Sequence, residues 1–344
     1  MRKWLNPYRT TLWVALLGWG LVLGPAYTAY LYFDPLQNSD ARDYLQVARG
    51  NYNVTITHRY RPIVPVLASV LALPIQAIYT RLWPHRAESL WPLRLGFLMV
   101  NSLLFAVLAV LLWRLALHAG AAPWAAMVGL VAVFTSRWAG LLAGIPYVDS
   151  LYLVVLALAA YGGVGQRHWA VVAALVLGPL AKESWLLLLP FVLWFAPGVS
   201  IPQRLRWLAW AALGLVFALL FRAWVSTRLE GFDAGVENAL NHSENIWLTV
   251  RRLFSPRGVG ELLTVIGPFT LIPLLTLSAR QRGWLGKMPK ALAWWLVPLV
   301  AHVLLSAEAA RMLYSFTPLW MLGVALPLSY APRWQWLHKY LTTK

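Results

Sequence analysis

The sequence predicts an all-α fold, a polytopic bundle of about 10–11 transmembrane helices with a juxtamembrane helix in its first outer loop. The chain has 344 residues, of which 60% are hydrophobic and only 12% are charged, whereas a soluble domain carries about a quarter charged residues. Apolar runs of roughly 20 residues recur along it. Its 21 Trp and 14 Tyr suit the aromatic belts of a membrane protein.

The apolar runs predict the order of the helices. We expect helices at 11–33, 62–82, 95–117, 123–145, 147–164, 169–181 with 184–197, 207–226, 259–277, 291–306 and 311–330. The segment 123–145 is expected to be short, broken or re-entrant, because it contains Arg137, Gly140 and Gly144 and is followed by Pro146. Together they predict one integral membrane domain over 1–344, with 34–61 as its first outer loop and 227–258 as a second large one.

The distribution of charge predicts the orientation. The net charge of +17 comes from Lys and Arg in short loops, which favours cytoplasmic loops over nucleic-acid binding. We therefore expect both termini in the cytoplasm, the basic stretch 81–94 in a cytoplasmic loop and 34–61 outside, in a bacterial inner membrane. The N-terminal apolar run exceeds a signal-peptide core and predicts a retained first helix. Of the twelve Asp and Glu, only Glu88 is assigned to a cytoplasmic loop.

Several classes of chemistry are excluded or unsupported by the residues present. The chain has no cysteine, which excludes a disulfide and a thiol nucleophile. No phosphate-binding P-loop, zinc-protease or serine-hydrolase motif occurs, and the seven His are scattered. We therefore expect no cofactor and no His-built metal site, while metal dependence of the reaction stays open.

Charged residues beside or within apolar segments are costly, so they mark candidate functional positions. In the first outer loop, Asp40 suits either an N-cap or a general base, and Asp43 and Tyr44 lie close to it on a helix. His58, Arg59 and Arg61 suit either interfacial anchoring or, in an extended segment, phosphate binding by both Arg.

Two further pairs of charges lie in later apolar segments. Lys182 and Glu183 are adjacent, so either they neutralise each other or each has its own partner. Glu308 and Arg311 have the spacing of a salt bridge within one helix, although Arg311 could also reach a phosphate. Asp149 suits either a helix cap or a carboxylate that orients a cation of the site.

The order of these motifs resembles the GT-C superfamily of integral membrane glycosyltransferases, which includes protein O-mannosyltransferase-like and aminoarabinose-transferase-like enzymes. The matching stretches are "DARDY" followed by "LQVARG", then "HRYRPIVPVLA", "IPYVDSLYL", "LAKES" and "EAARMLYSFTP". The stretches from "DARDY" to "LAKES" follow the family's order, so the resemblance extends over residues 1 to about 190. Ala41 stands where the family's acidic pair has its second carboxylate, so the resemblance leaves either Asp40 or Asp43 as the base.

The resemblance implies an inverting transfer of sugar from a polyprenyl-phosphate donor to a hydroxyl of a lipid, glycan or protein at the outer face of the membrane. Asp40, held without a salt bridge, or Asp43 would be the base. The implied phosphate-binding residues are Arg59, Arg61, Lys182 and Arg311. The implied supporting residues are Tyr44, His58, Asp149, Glu183 and Glu308.

Two other classes fit the composition. A transporter or lipid flippase would line a path with the same charges, and a structural membrane subunit would use them for assembly. A transporter is expected to show internal repeats and paired broken helices, and the sequence shows no repeat and one broken region, which favours the enzyme.

Overall fold

The structure is a computed structural model that describes residues 7–194, 196, 198–229, 246–278, 280–306 and 308–342. These residues form helices and connecting loops without any strand, which confirms the all-α fold. The first outer loop is described completely, whereas 230–245 of the second lies outside the described residues. The helices are α1 (Pro7–Tyr32), α2 (Ser39–Ala48), α3 (Ile56–Arg59), α4 (Ile63–Leu82), α5 (Trp91–His118), α6 (Pro123–Phe134), α7 (Arg137–Gly144), α8 (Asp149–Val164), α9 (His168–Ala181), α10 (Trp185–Trp194), α11 (Ile201–Ser226), α12 (246–253), α13 (Pro256–Ile266), α14 (Leu271–Leu274), α15 (Lys290–Trp294), α16 (Leu296–Leu305), α17 (Ala309–Tyr314), α18 (Thr317–Tyr330) and α19 (Gln335–Thr342).

Several helices are long and apolar enough to cross a membrane. Within the described residues, five segments pass this test by length and composition, namely α1, α4, α5, α11 and the run Pro256–Leu274. The pair α6 and α7 passes as a sixth and is bent by 62°. The bend follows Phe134, and the Ser136 hydroxyl then caps α7 by accepting from the Trp138 N–H at 3.2 Å. The prediction that the segment 123–145 is interrupted is therefore confirmed, with the break at Thr135 and Ser136.

The packing of α1 against α5 defines the two ends of the bundle. The two helices run antiparallel, since Thr11 accepts a hydrogen bond from Arg114 at 3.0 Å while Tyr30 packs against Trp91 with ring centroids 5.2 Å apart. Near the middle, a Cβ added at Gly18 would lie 2.3 Å from the Cβ of Ala109. The end of α1 and the start of α5 therefore share one end of the bundle, which we call the α2 end.

The loop after α4 lies at the α2 end together with the stretch 34–61, so the prediction that these two loops lie at opposite ends of the bundle is wrong. The Gln76 side chain donates to the Ala87 carbonyl at 2.7 Å, and Arg49 in the first outer loop donates to the Glu88 carbonyl at 3.5 Å. Helix α4 thus begins and ends at the same end of the bundle. Glu88, the one acid assigned to a cytoplasmic loop, joins the acids of the first loop there.

The basic character of this loop misled the orientation because one of its cations has a structural task. Arg94 is buried in the first turn of α5 and donates to the carbonyl groups of Tyr30 and Phe33 at the end of α1. Its guanidinium satisfies carbonyls that the helix leaves unpaired. A charge with such a structural task does not indicate on which side of the membrane its loop lies.

The opposite end of the bundle gathers several of the other basic loops. The Tyr330 hydroxyl donates to the Gly120 carbonyl at 2.6 Å, and the Arg333 N–H donates to Gln281 Oε1 at 2.9 Å. Because α4 does not reverse the chain, α5 ends here and α6 with α7 return to the α2 end. Asp149, which begins α8, consequently lies at the α2 end, as the charge distribution predicts.

Candidate functional site

A cavity of about 650 Å³ lies at the α2 end. Its wall is formed by residues of α2, α3, the link between α3 and α4, the link between α9 and α10, and parts of α10, α11, α16 and α17. Six of the predicted site residues line it: Asp40, Arg61, Lys182, Glu183, Glu308 and Arg311. The apolar part of the wall comes from Ile56, Leu187, Leu305 and Met312.

Asp40 is available to the cavity because another residue caps its helix. Asn38 is the N-cap of α2 and accepts from the Ala41 N–H at 2.9 Å, so the capping interpretation of Asp40 is wrong. The Asp40 side chain, 23% exposed, receives a hydrogen bond from Arg311 at 2.6 Å and lies 3.4 Å from His58 Nε2. The expectation that Asp40 has no salt bridge is therefore also wrong.

The environment of Asp40 sets its basicity. Burial raises the pKa of Asp40, whereas the charges of Arg311 and His58 and the hydrogen bond from Arg311 lower it, and the net pKa lies below its ordinary value. Asp40 is therefore ionised at neutral pH, and as long as Arg311 holds it, it is a weaker proton acceptor than an isolated carboxylate.

Asp43 has a structural environment. It is buried outside the cavity wall, accepts from the Thr55 N–H at 3.2 Å and lies 2.8 Å from His58 Nδ1. Burial raises the pKa of Asp43, but the hydrogen bonds from Thr55 and His58 outweigh it and the net pKa is lowered. Asp43 thus ties the stretch containing Thr55 and His58 to α2, and His58 bridges the two aspartates.

Arg311 is the centre of an ion network. Its guanidinium contacts Asp149 at 2.5 Å, Asp40 at 2.6 Å and Glu308 at 2.7 Å. It also stacks over the ring of Tyr147, 4.2 Å from the centroid. The predicted local pair with Glu308 is confirmed, and two contacts from distant segments join it.

Asp149 orients two cations from beneath the cavity. It is buried, makes no capping hydrogen bond and lies 2.8 Å from the Lys182 ammonium as well as touching Arg311. Of its two interpretations, orientation of a cation is the one that the structure supports. The pairing also shows that Lys182 has its own partner, so the interpretation in which Lys182 and Glu183 neutralise each other is wrong.

Glu183 lies between two arginines on the other side of the cavity. Arg61 contacts it at 2.8 and 3.1 Å, and Arg222 at 3.5 Å. Arg61 also donates to the Tyr44 hydroxyl at 2.9 Å, which fixes the guanidinium against α2. Tyr44 therefore supports the site from the protein interior without lining the cavity.

Arg59 does not share the orientation of Arg61. Residues Ile56–Arg59 form a helical turn rather than the extended segment that would have aligned the two side chains. Arg59 is buried and donates to the Val54 carbonyl at 2.5 and 3.1 Å, so its guanidinium supports the loop outside the cavity wall. Only Arg61 of this pair reaches the cavity.

Two residues that line the cavity were missed by the sequence analysis. Arg222 of α11 is 40% exposed at its side chain and stacks over the Tyr60 ring at 4.8 Å, and His302 of α16 is buried. Each is the only charged or titratable residue in its apolar run, the same signal that marked Lys182. The signal was therefore present in the sequence.

The formal charges of the network cancel. Its cations are Arg61, Lys182, Arg222 and Arg311, and its carboxylates are Asp40, Asp149, Glu183 and Glu308. Pairing of this kind offsets the cost of burying charge. A ligand anion would therefore replace a carboxylate partner, and the more exposed carboxylates are Glu308, 48% exposed, and Glu183, 30% exposed. Among the described residues there is no group of three or more His, Asp and Glu that could hold a metal ion.

Comparison of the chain with protein-family models, curated proteins and solved structures found no match. A functional assignment therefore depends on the chemistry of the cavity itself.

Proposed function

We propose that the chain is an inverting membrane glycosyltransferase of the GT-C type, which transfers a sugar from a polyprenyl-phosphate donor to a hydroxyl acceptor. The observation that carries the proposal is the meeting of an ionised carboxylate, Asp40, with four cations in one cavity that also has an apolar wall. The carboxylate suits the acceptor, the cations suit the phosphate, and the apolar wall suits the first isoprene units of the lipid.

The reaction follows from these groups. Asp40 accepts the proton of the acceptor hydroxyl, whose oxygen forms a bond to the anomeric carbon on the face opposite the phosphate. The bond between that carbon and the phosphate oxygen breaks, and its electron pair leaves with the lipid phosphate. Phosphate is a stable anion, so cations alone stabilise the leaving group, an effect worth several kcal/mol in a site shielded from water.

Arg311 connects the two halves of the reaction. One of its nitrogens, Nη1, is shared between Asp40 and Glu308 at 2.6 and 2.7 Å. A donor phosphate that replaces Glu308 would draw the guanidinium away from Asp40. This shift would raise the pKa of Asp40 and make it a better base once the donor is bound.

Arg222 is the cation most readily transferred to a phosphate. Its contact with Glu183 at 3.5 Å is the longest among the cations of the network, and its side chain is the most exposed of the four. Arg61 on the other side of Glu183 is buried and fixed by Tyr44. A phosphate that replaces Glu183 would therefore contact both guanidinium groups, an arrangement suited to multidentate binding.

The distribution of buried charge favours an enzyme over the transporter or flippase alternative. A transport path needs polar groups toward both ends of the bundle. In the part of the chain that the structure describes, the buried Asp, Lys, Arg and His residues all belong to the α2 half: Asp43, His58, Arg59, Arg94, Asp149, Lys182, His302 and Arg311. Such a one-ended arrangement supports a reaction site.

The proposal includes a location. The α2 end would face the outside of a bacterial inner membrane, with both termini in the cytoplasm and the acceptor supplied as a lipid, glycan or protein hydroxyl. The basic loops that meet at the opposite end, around Gln281 and Arg333, support this orientation by the positive-inside rule.

The test is sugar transfer by the purified chain in nanodiscs, with radiolabelled short-chain polyprenyl-phosphate sugars as donors and a membrane extract as the acceptor source. We expect release of polyprenyl phosphate and a product with the anomeric configuration opposite to that of the donor. A product with retained configuration would contradict the mechanism, and failure to cleave any donor would contradict the function.

A variant pair tests the phosphate role of Arg222 in the same assay. Arg222→Ala removes a charge-assisted hydrogen bond to the donor, so we expect its KM to rise roughly tenfold. Arg228→Ala is the matched control, because Arg228 stacks on Trp224 at 4.2 Å and does not line the cavity. Equal effects of the two substitutions would remove Arg222 from the site.

A further inference from the structure

One part of the cavity wall has a buried imidazole that no protein group satisfies. His302 lines the cavity and is only 8% exposed. Its Nδ1 is enclosed by protein and has no hydrogen-bond partner, and no hydrogen bond joins Nε2 to another described residue. Buried polar atoms in native proteins are nearly always paired, so an unpaired one at a cavity indicates a ligand group.

The Tyr152 ring links His302 to two further polar side chains, Lys182 and Ser184. The Tyr152 ring lies between His302, at 5.8 Å between ring centroids, and the Lys182 ammonium, 5.4 Å from the Tyr152 centroid. The Tyr152 and Ser184 hydroxyls are enclosed and lie next to each other, so a hydrogen bond between them leaves the Ser184 hydroxyl one further position for a ligand group. Lys182, Ser184 and His302 thus bring polar groups to the part of the wall beside Glu183.

We propose that Ser184 and His302, next to the phosphate-binding cation Lys182, form the sugar subsite and that it takes a neutral, hydroxyl-bearing sugar; this inference rests on the proposed function. Sugar hydroxyls both donate and accept, so they match an imidazole of either tautomer and a hydroxyl side chain. The subsite discriminates by hydrogen bonding, because a donor without the matching hydroxyl leaves these buried groups unpaired.

The charges of the subsite exclude a cationic amino sugar. Lys182 contributes a buried positive charge, and among the described residues the carboxylate in contact with it is Asp149. Asp149 already pairs with Lys182 and Arg311 and does not line the cavity. A protonated amino group on the sugar would therefore meet the like charge of Lys182, and the carboxylates of the cavity wall, Asp40, Glu183 and Glu308, already pair with arginines.

The experiment measures equilibrium binding to the full-length chain in nanodiscs, without an acceptor. The probes are farnesyl phosphate, a farnesyl-phosphate neutral hexose and a farnesyl-phosphate amino pentose. We expect the neutral hexose probe to bind roughly tenfold more tightly than farnesyl phosphate, the size of one or two good hydrogen bonds. The amino pentose probe should bind no more tightly than farnesyl phosphate.

His302→Phe keeps an aromatic ring beside Tyr152 and removes both nitrogens. We expect it to abolish the tighter binding of the hexose probe while leaving the Kd of farnesyl phosphate unchanged. His118→Phe is the control, because His118 lies at the opposite end and hydrogen-bonds the Arg114 carbonyl. Ser184→Ala provides a second, smaller change should His302→Phe fold poorly, and it should reduce the same difference.

The outcomes separate the two proposals. If the wild-type chain binds farnesyl phosphate but does not bind the hexose probe more tightly, or if His302→Phe and Ser184→Ala both keep the difference, the sugar subsite is wrong and the phosphate site stands. Tighter binding of the amino pentose probe overturns the neutral sugar. If none of the probes binds, the proposed function itself fails.

Discussion

At the scale of single residues, the two aspartates of the first outer loop have different tasks. Asp40 reaches the cavity, whereas Asp43 is buried against Thr55 and His58. The sequence could place both on one helix next to Tyr44, because their spacing alone decides that. It could not assign their partners, because Arg311 lies 271 residues from Asp40 in the chain.

The salt bridge to Arg311 predicts how activity depends on pH. Since the folded pKa of Asp40 lies below its ordinary value, its ionised form stabilises the fold above the unfolded pKa, and that stability is lost only as the pH falls through the folded pKa. We therefore expect kcat/KM of the wild-type chain to show no loss due to Asp40 between about pH 8 and 5.

Removing the Arg311 guanidinium should shift the acid limb of the pH profile, the pH range in which kcat/KM falls as Asp40 becomes protonated. In Arg311→Gln the larger lowering influence is lost while burial and the smaller influence of His58 remain, so the pKa of Asp40 rises and the acid limb of kcat/KM shifts to higher pH. Arg228→Gln, away from the cavity, should leave the limb in place. An acid limb near neutrality in the wild type that Arg311→Gln does not move would contradict this assignment.

At the scale of the elements, hydropathy predicted the helices well and the path of α4 poorly. The predicted segment 62–82 matches Ile63–Leu82, because an apolar run of this length is helical in either a spanning or a returning arrangement. Packing against neighbouring helices decides which arrangement applies. One example is the close contact of α4 with α5, in which a Cβ at Gly96 of α5 would lie 2.2 Å from the Ala68 carbonyl oxygen of α4. Such contacts are not visible in a hydropathy pattern.

Cysteine labelling of this cysteine-free chain tests the path of α4. We expect Ser39→Cys and Ala87→Cys to be labelled from one side of sealed vesicles and Gly283→Cys from the other, since 83–90 lies with the first loop at the α2 end. Ser39 is chosen because it is exposed and the neighbouring Asn38 caps α2. Ala87→Cys labelled together with Gly283→Cys would instead make α4 a membrane-crossing helix. A cysteine at Asn241, which the charge pattern places with the first loop, lies outside the described residues.

At the scale of the whole molecule, the sequence indicated which charges matter and not how they pair. Lys182, Arg311 and Asp40 were identified because a charge in or beside an apolar run is costly. Their arrangement depends on bringing together segments more than 100 residues apart, as in the contacts of Arg61 with Glu183 and of Arg311 with Asp149. The balance between the four cations and the four carboxylates of the cavity network is therefore a property of the folded bundle.

The most direct test of the central claim, that this cavity transfers sugar with Asp40 as the base, is the comparison of Asp40→Asn with the wild type in nanodiscs. The substitution keeps the size of the side chain and removes the proton acceptor. We expect unchanged folding, a donor Kd within about threefold of wild type, and transfer slower by at least about 100-fold, the usual size of a general-base effect. Wild-type transfer by Asp40→Asn would contradict the claim. If Asp43→Asn then abolished transfer in a folded protein, the base would be Asp43. If Asp43→Asn were active too, this loop would have no part in the chemistry.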